Sequence, residues 1–70
     1  MIKKYFRLER KNIVLVQFII EGYGEMATVQ TIDPQEAIIQ ISIMPDFISD
    51  MNDLLKHLQD KYSMTEISNY

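Results

Sequence analysis

The sequence has no cysteine and no tryptophan, one histidine, two glycines and two prolines in 70 residues. Without cysteine, disulfides, thiolate zinc sites and cysteine nucleophiles are excluded. A single histidine excludes any zinc or iron site that needs two imidazoles. So little glycine and proline argues for a chain held mostly in regular elements. No run approaches the ~20 apolar residues of a membrane span. The longest is Ile13 to Ile20, with Gln17 inside it. A basic start (MIKK) precedes that run, but Glu21 follows it at once and no small-residue cleavage site stands where a signal peptide needs one. The chain is therefore expected to be cytoplasmic and complete, with no membrane partner.

Hydrophobic residues make up 47% and charged residues 24%, a globular mix. The length predicts a single domain over residues 1–70. A chain this short buries only about 60% of its unfolded surface and is marginally stable alone. The net charge is −3, unevenly spread. Residues 1–11 hold Lys3, Lys4, Arg7, Arg10 and Lys11 against Glu9, whereas residues 12–70 hold nine acids against Lys56 and Lys61. The pI of about 4.9 disfavours nucleic acid as the main partner. The basic end is expected to sit near an acidic helix, each offsetting the other.

Residues 2–8 alternate, Phe6 and Leu8 one way, Tyr5 and Arg7 the other, which predicts a half-buried strand. The charged knot Glu9-Arg10-Lys11-Asn12 reads as a connection or a helix start. Residues 13–23 predict a helix ending at Gly22 and Gly24. On a wheel of 100° per residue, Leu15, Val16, Ile19, Ile20 and Tyr23 gather on one face with Ile13 at its edge. Arg10, Gln17 and Glu21 form a polar wedge. Val14 and Phe18 stand beyond that wedge, away from the main face.

Residues 26–32 and 37–44 predict two strands joined by Asp33-Pro34-Gln35-Glu36, whose Asp and Pro suit a type I turn. Pairing Val29 with Ile39 and Ala27 with Ile41 puts Ala27, Val29, Ala37, Ile39, Ile41 and Ile43 on one face. Thr28, Gln30, Ile38, Gln40, Ser42 and Met44 then share the other. A slip of one residue would drive Gln30 into the core. Residues 46–62 form the clearest helix, with Phe47, Ile48, Met51, Leu54, Leu55, Leu58 and Tyr62 at i, i+3, i+4, i+7 spacing. Pro45 suits its start and Asp46 its cap. Residues 64–67 read as a weak edge strand before a polar tail ending in Asn69 and Tyr70. The five methionines are expected to fill the rims of a small core.

The order β-α-β-β-α-β predicts an α+β, ferredoxin-like fold: a four-stranded antiparallel sheet with two helices on one face. Taken together, Tyr5-x-Arg7, Ile13, Phe18-x-x-Glu21-x-Tyr23, Ala27-x-Val29-x-Thr31-x-Asp33-Pro34 and Leu54-Leu55-x-x-Leu58 resemble a family of short bacterial proteins catalogued as a domain of unknown function. The resemblance covers about residues 4–60. It implies a small bacterial cytoplasmic protein and brings no catalytic residues with it. A looser likeness is to amino-acid-sensing ACT domains, which share the element order and bind ligand at a dimer interface. Their first strand and first helix are joined by a glycine-containing turn, where this chain has Glu9-Arg10-Lys11-Asn12.

Asp46, Asp50, Asp53 and His57 fall within about 60° on the second helix. Carboxylates with an imidazole can bind a divalent cation. A solvated stripe opposite the apolar one is the expected role instead, with Asp46 and Asp50 favoured by the helix dipole. Ser42, Ser49, Ser63 and Ser68 lack a nucleophile elbow. Glu21 and Glu25 beside two glycines read as a solvated helix end. One aromatic, Tyr5, on the open sheet face is too few for an RNA platform. No enzyme activity and no cofactor are expected. The expectation is a non-catalytic interaction or regulatory module that forms a homodimer or docks a protein partner. Its candidate interface is Tyr5, Val14, Phe18, Ile38 and Met44 on the first helix and the uncharged sheet face. An ACT-like small-molecule sensing domain is the alternative.

Overall fold

The structure is a computed structural model that describes residues 1–68 and 70. Asn69, part of the expected polar tail, lies outside the described residues. The strands are β1 (Ile2–Arg7), β2 (Ala27–Asp33), β3 (Ile38–Ile43) and β4 (Thr65–Ile67). The helices are α1 (Ile13–Glu21) and α2 (Ile48–Tyr62), each entered through a short 3-10 turn, Arg10–Asn12 and Pro45–Phe47. One antiparallel sheet runs β2-β3-β1-β4. With β1 and β3 central and each half contributing a strand–helix–strand unit, this is the ferredoxin-like arrangement.

Alternation along the strands sorts the two faces. Phe6, Leu8, Ala27, Val29, Ile39, Ile41 and Ile43 form one buried cluster with Ile13, Val16 and Ile20 of α1 and Met51, Leu55 and Leu58 of α2. Both helices therefore cover the same face. Tyr5, Arg7, Thr28, Gln30, Gln40 and Ser42 lie on the other.

The hairpin register departs from the expected one by two residues: Val29 pairs with Ile41 and Ala27 with Ile43. The cause is a wider loop. The carboxylate Oδ1 of Asp33 accepts hydrogen bonds from the amides of Gln35 (3.0 Å) and Glu36 (3.1 Å). Ala37 then takes a left-handed φ of 56° before β3 begins, and the register breaks between Thr31 and Asp33. The displacement is even, so every side chain keeps its face.

The α2 start also differs. Asp46 makes no capping hydrogen bond; it lies inside the 3-10 turn that Met44 opens, where the Met44 carbonyl accepts from the Phe47 amide at 2.9 Å. Its carboxylate still favours the positive end of the helix dipole. The buried stripe of α2 is Met51, Leu55 and Leu58, with Phe47, Ile48, Leu54 and Tyr62 half-buried beside it. Ser63 ends the helix in the left-handed region, and the Gln59 carbonyl accepts from the Met64 amide.

The basic amino-terminal residues do not pair with α2. Lys4 meets Glu66 on β4 at 3.8 Å, Arg7 meets Glu36 of the hairpin loop at 3.8 Å, and Lys11 meets Glu9 at 3.4 Å. The reason is topological: β1 is hydrogen-bonded to β3 and β4, so the acids nearest Lys4 and Arg7 come from β4 and the loop before β3.

Candidate functional site

Seven of the nine residues of α1 are apolar, more than one buried face can absorb. Ile13, Val16 and Ile20 are buried, so the helix turns their side to the sheet. The buried arc is rotated by about 60° from the one the wheel favoured. Leu15 and Tyr23, expected in the core, are instead 45% and 48% exposed. Val14 and Phe18 point outward and are 75% and 76% exposed. Phe18 is thus open to solvent. Val14, Leu15 and Phe18 form a single apolar ridge on the outer side of α1.

The charges at the two ends of this ridge are opposite. Arg10 and Lys11 precede its amino end, and Glu21 closes its carboxyl end. No acid lies in the first turn and no base in the last, the reverse of what the helix dipole favours.

The five expected interface residues do not form one patch. Val14 and Phe18 lie on the helical side of the molecule, whereas Tyr5 and Ile38 lie on the opposite face of the sheet. Ile38 is only 3% exposed, because it sits in a central strand between Arg7 and Asp33. It offers a partner almost nothing. Tyr5 is half-buried; its hydroxyl accepts a hydrogen bond from Gln40 Nε2 at 2.9 Å, and its ring lies 5.5 Å from that of Tyr70. Met44 follows β3 and is partly exposed. The ridge on α1 therefore holds the two most exposed large apolar side chains among the described residues, and Leu15 belongs to it although the helical wheel turns it inward.

The structure also holds a cleft that the sequence pattern does not indicate. Among the described residues β4 pairs only with Tyr5, Phe6 and Arg7, which leaves the first half of β1 without a strand partner on that side. A cleft of about 220 Å³ opens there between the sheet and α2. Its lining is Lys4, Phe6, Asn52, Leu55, Lys56, Gln59 and Glu66. Phe6 and Leu55 give it an apolar floor, and two ammonium groups, one carboxylate and two carboxamides ring it.

The stripe of Asp46, Asp50, Asp53 and His57 is exposed throughout. Among the described residues no three His, Asp or Glu side chains converge as a metal site would require. No helix among them is long and apolar enough to cross a membrane.

No curated protein matches this chain, and no solved structure does. Residues 6–61, from the end of β1 through nearly all of α2, match the family described as Domain of unknown function (DUF4911), and the chain belongs to that family.

Proposed function

We propose that this chain is a non-catalytic module that self-associates, with the outer side of α1 as its contact surface. The observation that carries the reading is the exposure of Val14 and Phe18, side by side on one helix and each about three-quarters open to water. Burying a Phe or Val side chain that water now reaches gains about 1.5–3 kcal/mol. A 70-residue chain has little core to spare, and a two-fold contact would add apolar burial from identical ridges. The opposite charges at the two ends make the ridge complementary to itself when one copy is reversed.

Association of the folded form stabilises it by mass action. The melting temperature should therefore rise with protein concentration. Phe18→Glu should abolish that rise and leave the circular dichroism of the folded chain intact. A melting temperature independent of concentration for the native sequence would refute the reading.

The cleft supports a second reading, a small-molecule sensing role. Ammonium groups from Lys4 and Lys56, the Glu66 carboxylate and an apolar floor suit a small zwitterion such as an amino acid. A ligand at 100 times its dissociation constant adds about 2.7 kcal/mol of stability. A thermal-shift screen of amino acids that moves nothing would dismiss this role.

A further inference from the structure

We propose that two copies dock α1 against α1 in antiparallel orientation, about a two-fold axis level with Val16, so that Lys11 of each copy meets Glu21 of the other. The inference rests on the self-association reading and adds its geometry.

The register follows from spacing. In an antiparallel pair related by a two-fold axis, residues equidistant from the axis face each other. Val14 and Phe18 are two residues either side of Val16, and Lys11 and Glu21 are five either side. One axis therefore brings Val14 onto Phe18 and Lys11 onto Glu21 together. At 100° per residue Val14 and Phe18 point the same way to within about 40°, and Glu21 lies about 40° to one side of the line midway between them. Lys11 sits in the 3-10 turn just before α1. The two-fold axis exchanges the ends of the helices and keeps their lateral sides, so Lys11 and Glu21 of the other copy stand at the same level and pair across the seam. Val16 points the other way, into the core, where it is fully buried.

Electrostatics selects this orientation over a parallel one. Parallel docking would set Lys11 on Lys11 and Glu21 on Glu21. In the single chain Lys11 sits at the positive end of the α1 dipole and Glu21 at the negative end, so both are placed unfavourably. Antiparallel docking puts each beside the opposite charge and the opposite dipole end of the second copy. Their present partners compete weakly. Lys11 reaches Glu9 at 3.4 Å and Glu21 accepts from Gln17 Nε2 at 3.4 Å, both at the exposed surface. The ion pairs lie at the rim of the contact, so salt should weaken association by screening them.

The test is a charge exchange read by sedimentation velocity, with folding checked by circular dichroism. Lys11→Glu and Glu21→Lys should each weaken the native dimer about tenfold or more, as like charges then face each other at both ends. The double variant Lys11→Glu/Glu21→Lys should restore association to within about threefold of native. A native dimer that Phe18→Glu breaks but neither charge variant weakens would overturn this register and leave the self-association reading standing. A single variant that weakens association without rescue by the double would also overturn it. A native chain that stays monomeric would remove both.

Discussion

Val14 and Phe18 lie one turn apart on the outer side of α1 and remain 75% and 76% exposed, while Val16 and Ile20, interleaved with them, are fully buried. One short helix thus presents two apolar faces, one spent on the core and one left over. Folding and association are separable along it by choice of residue.

Truncation on the inner face should unfold the chain. Ile20→Ala, Ile39→Ala and Leu55→Ala each empty a site that water does not reach. Each should cost about 2–5 kcal/mol, a large part of the stability of a small domain. Val14→Ala, measured at a concentration too low for association, should stay within about 0.5 kcal/mol of native. Urea unfolding followed by circular dichroism distinguishes the two classes. Equal losses on both faces would contradict the assigned orientation of α1.

Gly24 carries a φ of 71°, and a side chain there would meet no atom within 4 Å. Substitution is therefore penalised through the backbone alone. Gly24→Ala should lower stability by about 1 kcal/mol, or about 4–8 °C in melting temperature for a chain this short. Conversely, Ser63 ends α2 at a φ of 54° and is exposed, so Ser63→Gly should raise stability by up to about 1 kcal/mol.

The hairpin depends on one carboxylate. Asp33→Ala removes the acceptor shared by the Gln35 and Glu36 amides and should cost about 1–2 kcal/mol. Asp33→Asn keeps an acceptor at the same place and should cost clearly less. Hydrogen exchange at Gln35 and Glu36 reports the loss directly.

Much of the fold was legible because period and composition agreed. The α2 stripe of Met51, Leu55 and Leu58 stands at helical spacing with charges opposite, and Ile39, Ile41 and Ile43 of β3 alternate with Gln40 and Ser42. Faces were readable where positions were not. The hairpin register moved by two because Ala37 extends the loop through a left-handed conformation that its side chain does not advertise. The orientation of α1 was ambiguous for a physical reason: with apolar residues nearly all round, the wheel has no sharp polar side to orient it. Packing against β2 decided it, and Leu15 went outward. The cleft beside Lys4 depends on where β4 stops relative to β1, a tertiary length no local pattern encodes.

The acidic stripe of α2 should behave as a solvated surface. Asp50, Asp53 and His57 are all exposed, so Asp53→Ala and His57→Ala should each change stability by less than about 0.5 kcal/mol. Titration with calcium, magnesium, manganese or zinc should leave the melting temperature unchanged. A saturable stabilisation lost in His57→Ala would contradict this.

Sedimentation velocity over a range of micromolar concentrations, on the native chain and on Phe18→Glu side by side, tests the proposed self-association most directly. The native sequence should move from the 8.3 kDa species towards twice that mass as concentration rises, while folded Phe18→Glu stays at the smaller mass throughout. A native chain that sediments as a single 8.3 kDa species at every concentration would contradict the account.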